Sequence, residues 1–143
     1  MYYLKMKIYI LPKFLAGIVT EQNYKNWLQR KATSHRKRDN KRWGTRHSVT
    51  EYKQAIHKAV IKSNGCDDYT GERLDWKLIN KFNNREAAKH KAKYKKSFSL
   101  LPTVDHVDPW SKRIDFKICS WILNDVKHDL SIKELKKLVG KIK

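Results

Sequence analysis

Apolar and polar positions along the chain change period several times, and each change marks an element. The opening run, MYYLKMKIYILPKFLAGIV, is mostly apolar but interrupted by Lys5, Lys7 and Lys13. It is too short and too charged for a bilayer span and lacks a small-residue cleavage pattern, so a strand or anchor segment packed on the domain is expected. Thr20 is placed to cap a helix whose Tyr24, Trp27 and Leu28 fall at helical spacing. Ser48 and Glu51 form a capping box, followed by the stripe Val49, Tyr52, Ile56, Ala59 and Val60, with Gly65 placed as the stop. His57 flanks that stripe. Tyr69-Thr70-Gly71 predicts a turn, and a lysine-rich stretch from Lys77 to Phe98 is expected to be helical.

The texture then changes. PTVDHVD (102–108) alternates as a strand, WSKRI (110–114) is a loop, and DFKICS (115–120) alternates again, with Phe116 and Ile118 on one face and Lys117 and Cys119 on the other. SWILNDVKHDL (120–130) predicts a helix with Ser120 as cap. SIKELKKLVGKIK (131–143) predicts another, with Ser131 and Glu134 as a capping box. The expected fold class is therefore α+β: a basic, mainly helical half over 1–63 and a strand–loop–strand–helix unit within 64–143. Three prolines and five glycines leave no linker between them.

Composition adds a partner. Of 143 residues, 33 are Lys or Arg and 14 are Asp or Glu, a formal net charge of +19. That much self-repulsion fits a polyanion, and nucleic acid ahead of an anionic membrane. Between Lys25 and Arg46 stand nine Lys/Arg and a single acid, Asp39, interleaved with Tyr24, Trp27 and Trp43. This is an arm for a phosphate backbone, with Arg36, Lys37, Arg38, Lys41, Arg42 and Arg46 as contacts, or else a solvated helix face carrying a few core aromatics. A second cluster includes Lys93, Lys95 and Lys96. The two cysteines, Cys66 and Cys119, are too few for a disulfide framework or a four-thiolate zinc site and suit a reducing cytoplasm.

Phosphodiester hydrolysis needs a base of near-neutral pKa for water and a hard cation for the charge on the departing oxygen. Asp105 and His106 sit side by side near a strand end and point to opposite faces. The carboxylate can hold metal while the imidazole reaches substrate, and Asn124 on the following helix can add an amide oxygen. His128, four residues later, is a further ligand, a phosphate contact, or a histidine favoured by the helix C-terminus.

VDHVDP followed by DFKICSWILNDVK resembles the HNH endonuclease family, with its ββα-metal core. The likeness is tight from Leu101 to about Leu130 and looser back to Cys66. It implies that Asp105-His106 is the family's Asp-His pair, Asn124 the helix ligand and Lys127 the trailing basic residue. Asp115 stands where an Asn is expected. It orients His106 by accepting from the ring, or it is a surface acid and a backbone carbonyl does that work. The resemblance implies Mg²⁺ or Mn²⁺ held by Asp105 and Asn124, double-stranded DNA as substrate, a 5′-phosphate product, and Lys127 and Arg113 near phosphates. A single such site would nick as a monomer. Family members often carry two Cys pairs around zinc; with half of those thiols missing, no structural zinc is expected, and Trp76, Phe116, Trp121 and Ile122 would pack in its place. The other readings are a non-catalytic nucleic-acid-binding protein on the same scaffold, and a basic RNA-binding protein.

Overall fold

In the computed structural model, which describes residues 9–81 and 84–143, four helices begin at a hydroxyl. Thr20 Oγ1 accepts the Asn23 N–H at 3.1 Å and starts α1 (Glu21–Trp43). Ser48 and Glu51 close the expected capping box at the start of α2 (Val49–Ser63). Ser120 and Ser131 cap two C-terminal helices described below. Each hydroxyl satisfies an N–H that the first helical turn leaves without a partner. α1 ends where Gly44 takes the left-handed conformation. α2 stops one residue earlier than Gly65 suggested, on a left-handed Asn64, and Gly65 continues at φ 85°.

The chain is α+β and mostly helical, with one small antiparallel sheet. After α2, a bridge between Cys66 and Arg73 closes a loop, and Trp76–Leu78 makes a 3-10 turn. α3 (Asn84–Ser97) carries the lysine cluster and breaks at Lys91; residues 82–83 of the expected lysine-rich helix lie outside the described residues. β1 (Pro102–His106) pairs with β2 (Phe116–Ser120), His106 opposite Phe116 and Pro102 opposite Ser120. α4 (Trp121–Lys127) follows β2 directly. α5 (Ile132–Val139) ends the fold.

Residues 1–8 of the N-terminal apolar run also lie outside the described residues. Its remainder is a 3-10 turn at Lys13–Leu15 rather than a strand, and it buries Leu15 with Val19 beside it. One core crosses the boundary drawn at residue 63: Tyr24, Trp27, Leu28, Tyr52, Ile56 and Val60 pack with Trp76, Val104, Phe116 and Ile118. Tyr24 stacks on Trp27, and Trp27 meets Trp76 edge-on. Two aromatics of the basic run are therefore core side chains.

β2 is covered on both faces, so its alternation is masked. Phe116 and Ile118 face the helices, and Cys119 is fully buried on the other side. The loop after Cys66 runs along the open edge of β2 and sends Tyr69 onto the face that carries Lys117 and Asp105. Asp67 Oδ2 accepts the Ser120 N–H at 2.8 Å, Asp67 Oδ1 accepts from Tyr69 and Thr70, and Asp68 N–H donates to the Ile118 carbonyl at 2.9 Å. Charged acceptors of backbone N–H groups make strong ties. Trp76 and Phe116 pack as expected, Trp121 is half-buried, and Ile122 is exposed. Both cysteines are free thiols, Cys66 half-buried and Cys119 buried. Burial pushes the Cys119 thiol up to about 12, so it acts as a small apolar residue.

Candidate functional site

The buried stripe of α1 begins aromatic and ends polar: Tyr24, Trp27, Leu28 and Ala32 give way to His35 and Asp39. His35 and Asp39 are one turn apart on the same face, and that face meets the end of β1. Asp39 Oδ2 lies 3.0 Å from His106 Nε2 and accepts a 2.7 Å hydrogen bond from the Tyr52 hydroxyl. The His106 ring packs against His35 at 5.1 Å and against Phe116 at 5.0 Å between centroids. Burial, then the Asp39 hydrogen bond, push the Tyr52 phenol up to about 12, so it remains a donor at neutral pH.

Strand alternation turns Asp105 away from His106. Asp105 Oδ2 accepts from the Tyr69 hydroxyl at 2.8 Å and lies 2.9 Å from Lys127 Nζ. Lys127 is 1% exposed and Asp105 6%. The ammonium sits at ion-pair distance without a hydrogen bond's angles, and it finds no hydrogen-bonded partner among the described residues. Its contact with Asp105 is thus mainly Coulombic, in surroundings that screen little. Burial, then the Asp105 charge, push the Tyr69 phenol well up.

Asp105, His106 and Asn124 line one cleft of about 610 Å³, with α1 forming the opposite wall through Arg38, Lys41 and Arg42. Arg42 reaches across it, donating to the Pro109 carbonyl at 3.4 Å, pairing with Asp129 at 3.5 Å and lying over the Trp110 ring. Helix and hairpin are therefore clasped at the mouth. Lys95 of α3 pairs with Asp125 at 3.3 Å, bringing the second lysine cluster beside the same cleft.

Several expected site residues have other surroundings. Lys127, read as a phosphate contact, is sealed inside against Asp105 and is corrected to an internal counter-ion. α4 ends at Lys127, so His128 does not continue the face of Asn124: it adopts φ 50°, its side chain is 81% exposed, and it lies 3.4 Å from Asp129 at the cleft edge. The carboxylate at the His106 ring belongs to Asp39, whereas Asp115 is exposed and gives its backbone carbonyl to Val107 N–H. Arg36 donates to the His47 carbonyl and is half-buried; Lys37, Arg46, Lys93, Lys96 and Arg113 are exposed. Asp39, His35 and Tyr69 were not singled out from sequence. Asp39 carried a signal, being the one acid in a basic run and four residues from a histidine.

Among the described residues no three His, Cys, Asp or Glu side chains gather to hold a metal ion. The oxygens at hand are those of the Asp105 carboxylate, whose Oδ2 already meets Tyr69 and Lys127, and the Asn124 amide. One carboxylate and one amide oxygen match a hard cation that keeps several waters and takes its remaining ligands from substrate phosphate. Mg²⁺ or Mn²⁺ fits this donor set; an ion needing a closed protein cage does not.

His35 makes stability pH-dependent. Burial, then Arg38, His106 and Lys31, hold its pKa well below 6.5, so it stays neutral in the fold. The unfolded chain binds a proton near 6.5 that the native state refuses. Stability is full above that pH and is lost as pH falls below it, by at most about 1.4 kcal/mol per unit. His57, lowered by burial, acts in the same sense. Urea midpoints at pH 7 and pH 5 should therefore separate more for the parent protein than for His35→Gln. Equal separations would remove His35 as the cause.

No helix among the described residues is long and apolar enough to cross a membrane. Comparison with protein-family models, curated proteins and solved structures gives no match.

Proposed function

We propose that the chain is a metal-dependent DNA endonuclease of the HNH type, with β1, β2 and α4 as a ββα-metal unit. The observation that carries this reading is the convergence of Asp105, His106 and Asn124 on one cleft whose facing wall is cationic. His106 takes the proton from the attacking water, a task suited to an imidazole near neutral pH. Asp105 and Asn124 would hold Mg²⁺ or Mn²⁺, which when bound offsets charge developing on the phosphate and the leaving 3′-oxygen. Arg38, Lys41 and Arg42 bind duplex phosphates, and the exposed Lys37, Arg46, Lys93, Lys96 and Arg113 extend that field. A single site cuts one strand at a time, hence nicking by a monomer, with a 5′-phosphate product in line with the family resemblance.

The buried Lys127–Asp105 pair favours a second reading. A carboxylate already neutralised from within is also what a site that no longer binds metal would contain. The protein would then bind nucleic acid without cutting it. Supercoiled plasmid incubated with Mg²⁺, with Mn²⁺ and with EDTA separates the two. Nicked circles with either ion and none with EDTA are expected. Nicking that persists in EDTA rejects the one-metal mechanism, and intact plasmid with both ions leaves the binding protein.

A further inference from the structure

We propose that Asp39, steadied by Tyr52, is a positioning residue that keeps the neutral His106 ring protonated at Nε2 and leaves Nδ1 as the atom that accepts the proton from water. The catalytic role rests on the nuclease reading; the tautomer does not. An ionised carboxylate only accepts hydrogen bonds. With Asp39 Oδ2 at 3.0 Å, Nε2 must therefore carry a hydrogen. A neutral imidazole has one N–H, so the lone pair falls on Nδ1.

Three contacts make this a held arrangement. Asp39 is itself 8% exposed, and the Tyr52 hydroxyl occupies the same oxygen at 2.7 Å, fixing the carboxylate. His35 and Phe116 flank the ring at 5.1 and 5.0 Å and limit its rotation. His35, held neutral by burial, adds no second positive charge beside a ring that must gain a proton. The device also accounts for the single acid in the basic run. α1 presents cations to the cleft at Arg38, Lys41 and Arg42, and at one inward position it presents the carboxylate that the imidazole needs. The N-terminal helical half would then take part in the chemistry as well as in binding.

The test uses the full chain labelled with ¹⁵N at histidine, read by long-range ¹H–¹⁵N correlation above pH 7.5, with His106→Gln assigning the peak. The parent His106 should give the Nε2–H pattern. Asp39→Asn, nearly the same shape but able to donate as well as accept, should give a mixed or Nδ1–H pattern. Its plasmid-nicking kcat should fall roughly 100-fold, the scale on which outer partners of a functional histidine act, with KM and duplex affinity little changed. Asp39→Glu should recover part of the rate, and Tyr52→Phe should keep the Nε2–H pattern while losing a few-fold in kcat. An Nδ1–H pattern in the parent protein, or an unaltered pattern in Asp39→Asn, overturns the proposal. A parent protein that holds the Nε2–H pattern yet never nicks overturns the catalytic role and the nuclease reading while leaving the pairing, so the two fail separately.

Discussion

His106→Gln is expected to lower plasmid nicking by about 10³-fold or more, within the range of losing a positioned general base or somewhat beyond it, while duplex affinity changes little. The affinity half of the prediction follows from where charge sits. Arg38, Lys41 and Arg42 line the cleft from α1 and are unaltered by the substitution. Phosphate contacts of that kind supply sequence-independent binding. Gln is preferred to Ala because His106 packs against His35 and Phe116 and partners Asp39. An Ala would leave a void and an underused carboxylate, confusing lost folding with lost chemistry. Nicking should be measured beside a thermal melt and a binding isotherm at fixed salt. A variant that melts normally, binds normally and still nicks at the parent rate would remove His106 as the base.

Lys127→Ala should have the largest effect on stability, a loss of about 3–5 kcal/mol. The side chain is fully buried, and its removal leaves Asp105 ionised at 6% exposure with Tyr69 alone on that oxygen. Folded domains are worth only about 5–15 kcal/mol in total, so this variant would stand near the edge of folding. Lys127→Met combined with Asp105→Asn removes both charges and keeps volume, and it should recover most of the loss. Urea unfolding of the two single variants and the pair gives the coupling directly. If Lys127→Ala costs less than about 1 kcal/mol, the ammonium is not the counter-ion that the 2.9 Å contact indicates. The comparison also bears on function. A metal ion at Asp105 would sit near an internal positive charge, so Lys127→Met is expected to bind Mg²⁺ at least as tightly as the parent.

The backbone of the site was legible at short range. Ser120 was readable as a cap because the helix needs an acceptor at that position, and its hydroxyl accepts the Leu123 N–H at 3.2 Å. β1 and β2 were readable from alternation, and Cys119, on the face away from Phe116 and Ile118, is buried as well. That face is met by Tyr69, from the loop after Cys66, and by Lys127 of α4, both of which contact Asp105. Cover of that kind leaves no mark on the period of the strand itself. The end of α4 was misplaced for a similar reason. HDL continues a helical pattern, yet the chain turns at a positive-φ His128, and Leu130 N–H closes the turn on the Lys127 carbonyl at 2.9 Å. Burying Lys127 against Asp105 takes place at that same turn.

What the sequence alone determined was local: caps, helical stripes, strand alternation, a charge of +19, and the nearness of Asp105 and His106 along the chain. Each depends on residues a few positions apart, where backbone geometry fixes which side chains are neighbours. Which partners those side chains take was decided only by tertiary packing. His106 meets Asp39 across 67 residues, and Asp105 meets Tyr69 across 36. α1 could offer its polar inner face to any strand or to none; its aromatic stripe, buried with α2 and β2 in one core, sets Asp39 at the His106 ring. A buried carboxylate accepts whichever donor that packing delivers, because leaving it unpaired costs more than any local preference is worth.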